Sequence, residues 1–99
     1  MNDTPEQLRK RLNAETGPLT WPELERHYAR GVVVWVSPDL ELVEVAARMV
    51  EDDRDAMNAW LEAGKVNPAT DEQARDWQDR EARFLAVVTA PWVVVQERT

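Results

Sequence analysis

The side chains best equipped for chemistry in this sequence are carboxylates, and the densest group is Glu51-Asp52-Asp53-Arg54-Asp55. Several carboxylates held together could bind a hard divalent cation. The run lacks the alternate spacing and the glycine of an EF-hand loop, and a junction between two helices accounts for it better. Asp53 is placed to cap the following helix, and Asp55 falls near that helix's positive end. No metal site is assigned. Glu41, Glu44 and Glu51 recur at helical spacing on one face and could supply a carboxylate pair for general acid and base work. Arg48 stands among them at ion-pair spacing, and no apolar pocket that would raise a carboxylate pKa is implied nearby. Glu44, Glu51 and Asp52 form the candidate acidic site, with ion pairing as the favoured role.

The remaining reactive inventory is thin. His27 is the one imidazole, flanked by Glu23, Arg26 and Arg30, with neither a nucleophile motif nor a second ligand to act with. There is no cysteine, which excludes disulfides, a thiolate nucleophile and Cys-based zinc or iron–sulfur sites. No G-x-S-x-G, P-loop, dinucleotide or H-E-x-x-H motif occurs. The chain therefore leans away from an enzyme, and no catalytic residue or cofactor is assigned. Five tryptophans (Trp21, Trp35, Trp60, Trp77, Trp92) could act as base-stacking platforms only beside a basic groove. Arg9-Lys10-Arg11 is a short patch on a neutral segment, so nucleic-acid binding is not expected. Core packing and self-association explain the tryptophans better. Trp35 and Trp92 are the candidate interaction surface, above all Trp92, which follows Pro91.

Charge narrows the partners further. The 99 residues carry a net −7, with 43% hydrophobic and 31% charged side chains, a mixture that fits one globular domain. Residues 1–31 hold five acids and five bases, residues 32–82 thirteen acids and five bases, and the rest one acid and two bases. The middle of the chain is the acidic part. Such a field repels phosphate backbones and would attract a basic protein partner. Met1 to Lys10 is polar, without the apolar segment of a secretory signal. The longest apolar stretch, Ala86 to Val95, is interrupted by Thr89 and Pro91 and is far short of the ~20 residues of a membrane span. A cytoplasmic protein without membrane association is expected.

These residues must be positioned by elements that local signals outline. Thr4-Pro5-Glu6-Gln7 reads as a helix start with a capping box, but Leu8 and Leu12 are its only strong apolar anchors, so residues 1–16 are expected to form a loosely packed N-terminal helix. Gly17-Pro18 breaks that run. Thr20 to Glu23 repeats the capping logic for a helix to about Arg30, closed by Gly31. Val32 to Val36 reads as a buried strand. From about Asp39 to Asp52 the polar positions fall on one narrow face, the pattern of a helix buried on most sides. A further helix follows from the Asp53 cap to Gly64, and another from the Thr70 cap to about Ala82, anchored by Trp77. Lys65 to Ala69 reads as a connector. Phe84 to Thr89 and Trp92 to Glu97 read as strands around Ala90-Pro91.

The expected architecture is α+β: a single compact domain, residues 1–99, with a small mixed sheet of about three strands packed against about four helices. Both alternating sets in each strand are apolar, so both sheet faces require cover. Either the helices divide between the two faces or a second copy of the chain covers one of them; with only two strongly amphipathic helices in view, a homodimer is expected.

The ordered string Arg30-Gly31-Val32-Val33-Val34, Leu42-Val43-Glu44-Val45-Ala46, Glu51-Asp52-Asp53, Ala59-Trp60-Leu61, Asp71-Glu72-Gln73-Ala74 and Ala90-Pro91-Trp92-Val93-Val94-Val95-Gln96-Glu97 resembles a family of short bacterial proteins known as domain of unknown function 2288. The resemblance spans about Leu8 to Glu97, and its specificity lies in order and spacing. It implies a free-standing bacterial protein and carries over no catalytic residue. The function expected on these grounds is a non-enzymatic interaction or regulatory module that self-associates or meets a basic protein. The alternative is a small enzyme or ligand-binding domain using the carboxylates of the acidic middle segment.

Overall fold

Helix boundaries follow local capping. In the computed structural model, which describes residues 4–98, the Thr4 hydroxyl accepts from the Gln7 N–H at 3.1 Å and the Gln7 side chain accepts from the Thr4 N–H at 3.0 Å. That box opens α1 (Pro5–Glu15). The Glu23 carboxylate accepts from both the N–H and the hydroxyl of Thr20 at the start of α2 (Trp21–Ala29). Gly31, at φ +74°, closes α2 in the left-handed region that costs glycine nothing. α3 (Leu42–Val50) is followed by α4 (Arg54–Glu62), whose cap is the Asp53 carboxylate, accepting from the Ala56 N–H at 3.1 Å. Thr70 and Gln73 close a reciprocal box at the start of α5 (Asp71–Arg80).

The strands are β1 (Gly17–Thr20), β2 (Val33–Val36), β3 (Val66–Pro68), β4 (Arg83–Thr89) and β5 (Trp92–Glu97), in the spatial order β1-β4-β5-β2-β3. β2 and β5 run parallel and the other neighbours antiparallel, so the sheet is mixed. The expected three strands are its centre. β1 and β3 are two further edge strands, read from sequence as a breaker and a connector because each contains a proline, Pro18 or Pro68. An edge strand tolerates proline, since one of its sides needs no ladder donor. Among the described residues the sheet therefore has five strands and the domain five helices, more than the expected three and four.

Strand alternation sends successive side chains to opposite faces, and each face has its own helical cover. On one face Val34, Val36, Val66, Val87 and Val94 pack with Leu8 and Leu12 of α1 and Leu42, Val45 and Ala46 of α3, with Met57 and Trp60 of α4 alongside. On the other, Val33, Phe84, Ala86, Val93 and Val95 pack with Trp21 and Leu24 of α2 and Ala74 and Trp77 of α5. Trp77 is the centre of the second layer, edge-on to Phe84 at 5.0 Å between ring centroids and 6.0 Å from Trp21. The helices of one chain thus divide between the faces, and neither face is left bare. Gln96 ties the sheet to the approach to α3: its side-chain amide donates to the carbonyls of Ser37 at 2.8 Å and Leu40 at 2.7 Å. The expected helix from Asp39 begins only at Leu42 because Ser37-Pro38-Asp39 forms a turn, in which Asp39 accepts from the Ser37 hydroxyl and from Lys65.

Candidate functional site

A cleft of about 650 Å³ opens where three distant segments converge: the end of α1, the junction between α3 and α4, and the tip of the β4–β5 hairpin. The hairpin turns through Ala90-Pro91, a cis peptide. Thr89 and Trp92 are cross-strand partners, and alternation puts them on the same side as Val87 and Val94, toward α1, α3 and α4. Leu12, Met49, Val50, Met57 and Trp92 supply the apolar lining. Thr89 is buried against it, with a hydroxyl that has no hydrogen-bond partner among the described residues. Four large apolar side chains are exposed among the described residues: Val50 (47%) and Trp92 (41%) border this cleft, while Val88 (58%) touches its rim at the hairpin end but alternates with Thr89 onto the other sheet face. The fourth, Leu61, lies near the end of α4.

One wall is fixed by an ion-pair network that starts on α1. Arg9 grips Glu44 with two guanidinium donors, Nε to Oε2 at 2.7 Å and Nη2 to Oε1 at 3.0 Å. Arg48, one turn along α3, donates to the same carboxylate at 2.9 Å and to the capping Asp53 at 2.9 Å. Arg9 also reaches Glu51 at 3.5 Å. The Arg9 hydrogen bonds draw the Glu44 carboxyl from its ordinary 4.5 down to about 2, against an opposing effect of burial and with further help from Arg48. A bidentate fork of this kind fixes geometry as well as charge. Its physical result is to clamp α1 onto α3.

The residues singled out from sequence divide accordingly. Asp52, in the left-handed region at φ 55°, and Trp92 both line the cleft, although forty positions separate them. Asp52 is exposed and lies 3.6 Å from Arg54. Glu44 and Glu51 belong to the neighbouring network and reach the cleft only through Arg48, which lines it. Trp35 packs half-buried against the second core, on the opposite face of the sheet from Trp92, so the two do not form one surface. His27 is half-buried on α2 and lines neither this cleft nor a smaller one of about 350 Å³ beside Tyr28 and Asp71, where the tyrosine hydroxyl donates to the carboxylate. Among the described residues no group of three or more His, Asp or Glu is arranged to hold a metal ion, and no helix is long and apolar enough to cross a membrane. Sequence reasoning missed Arg11, Met49 and Met57 as neighbours of Trp92. The one local signal was the apolar run of α3 continuing to its exposed end at Val50.

Fold and cleft together define a small α+β domain in which, among the described residues, a mixed five-stranded sheet carries helices on both faces and a cleft of mixed apolar and charged lining opens at a hairpin tip. The chain belongs to the family described as "Protein of unknown function (DUF2288)", whose model matches residues 7–97. It is similar to PA1075 from Pseudomonas aeruginosa, whose NMR solution structure is 39% identical with a TM-score of 0.83, covering 100% of this chain and 92% of that one. No curated protein matches the chain.

Proposed function

We propose that the chain is a cytoplasmic, non-enzymatic interaction module that self-associates through the cleft at the β4–β5 hairpin tip. The observation that carries this reading is the meeting of exposed apolar side chains at the cleft: Val50 and Trp92 border it with Met49 and Met57 in its lining, whereas among the described residues the other exposed large apolar side chains, Val88 and Leu61, lie on the other sheet face and near the end of α4. A grouping of that kind marks an interaction site where scattered single residues would not. Methionine and tryptophan are also the residue types enriched at interface centres.

The competing reading, catalysis by the acidic segment, has less support. A carboxylate acting as general acid or base near neutral pH needs its pKa raised toward that pH. Glu44 is moved the other way, to about 2, and is held by two guanidinium groups. Sedimentation velocity of the full chain tests the proposal: a concentration-dependent dimer is the expected result. A chain that sediments as a monomer throughout the micromolar range refutes it.

A further inference from the structure

This inference rests on the self-association reading and names what fills the cleft. We infer that the hairpin tip of a second copy of this chain, led by Trp92, enters the cleft, and that the two copies do this to each other about a two-fold axis. A two-fold contact uses the same patch on both subunits, so its projection and its recess must lie side by side. Trp92 meets that condition: it stands on the wall of the recess with 41% of its surface exposed, at the hairpin end. Met49 and Met57 line the recess. Unbranched thioethers adapt their shape to an entering indole and make favourable sulfur–aromatic contacts.

Charge disfavours a basic partner at this border and leaves a second copy unopposed there. The chain carries a net −7, so two copies repel across most of their surfaces. The cleft border is different, because Arg11, Arg48 and Arg54 stand there with Glu15, Asp52 and Asp53, three bases and three acids with a balance of zero. A basic protein gains nothing at this border and is drawn to the acidic surface elsewhere, whereas a second copy meets no net repulsion here. Pairing through the sheet edges is a poor competing route, since β1 and β3 have four and three residues and carry Pro18 and Pro68.

Sedimentation equilibrium on the full chain and on two variants, Trp92→Ala and Val50→Lys, tests the geometry, with far-UV circular dichroism to confirm that each variant is folded. Both altered side chains are exposed, so the cores stay intact. The expected result is a dimer whose dissociation constant rises about 30-fold or more on Trp92→Ala, the scale of a central interface tryptophan. Val50→Lys weakens it in the same direction. A dimer with unchanged affinity in both variants leaves self-association standing and overturns the hairpin-in-cleft contact. A wild-type chain that is monomeric up to about 0.5 mM overturns both. Native mass spectrometry of the chain from its own cells covers the other occupants: a monomer retaining a small molecule, or a complex with a different protein that Trp92→Ala abolishes, also overturns the inference.

Discussion

Replacing Glu44 by glutamine separates a structural anion from a reactive one. The substitution keeps the side-chain volume and removes the charge that Arg9 and Arg48 share. Lowering a carboxyl from 4.5 to about 2 corresponds, in a fully shielded site, to about 3 kcal/mol of folding free energy. The Glu44 side chain is 36% exposed, and solvent screening at such a site reduces the figure to about 1 kcal/mol. Because the folded-state pKa lies below the unfolded one, this contribution is complete above pH 4.5 and is lost as the pH falls toward 2. Urea denaturation of the wild type and Glu44→Gln at a series of pH values reads it directly. At pH 7 the variant is expected to be about 1 kcal/mol less stable, and the gap closes on acidification. Asp39 and Asp76 are also held below the usual carboxylate range, by hydrogen bonds from Lys65 and Arg80 respectively. Both proteins keep those groups, so the difference between them isolates Glu44. Equal stability at pH 7, or a Glu44 carboxyl that titrates at or above 4.5 by NMR, refutes the ion-pair account and returns Glu44 to the list of reactive carboxylates.

Two further substitutions test the two helical layers. Leu12→Ala removes a side chain that is 2% exposed between α1, α3 and the sheet, and is expected to lower stability by about 2–5 kcal/mol in chemical denaturation. A loss below about 0.5 kcal/mol would mean that α1 is not docked as described. Trp77→Ala empties the centre of the second core and is expected to cost about 3–5 kcal/mol, a large share of the total stability of a domain this size. Its near-UV circular dichroism should lose the signal of the Trp21–Trp77–Phe84 cluster; an unchanged melting temperature would show that α5 does not close that face.

Much of this architecture is written in short-range chemistry. The threonine caps at Thr4, Thr20 and Thr70, the Asp53 cap and Gly31 mark helix ends that the structure reproduces, and Val33 to Val36 and the final hairpin are strands as their β-branched runs require. β1 and β3 were illegible because their pairing is decided elsewhere: Pro18 lies opposite Leu85 and Pro68 opposite Val34, contacts that no local window contains. The covering of the second face was under-read for a similar reason. α5 has only Ala74 and Trp77 to bury, a weak stripe by count, yet one indole against Phe84 and Trp21 spans the width of the layer. The need for an external cover, the original ground for expecting a dimer, is met within the chain. The present ground is the hairpin-tip cleft.

The site itself was half-legible, and the missing half shows how the fold reshapes the charge pattern. Along the sequence the acidic middle segment is an excess of carboxylates, and Arg9-Lys10-Arg11 is a patch on a neutral segment. Docking α1 through Leu8 and Leu12 carries those arginines onto α3, where Arg9 neutralises Glu44 and Arg11 joins the cleft border. The charge-balanced border around Trp92 therefore exists only in the folded chain, assembled from an N-terminal helix, an acidic helix junction and an apolar hairpin. The border and the recess follow from α1 being in place: without it, the border loses Arg11 and Glu15, the recess loses Leu12, and Glu44 is freed of its strongest partner. Anything that binds the assembled cleft, a second copy included, must then favour the docked state of α1 by mass action.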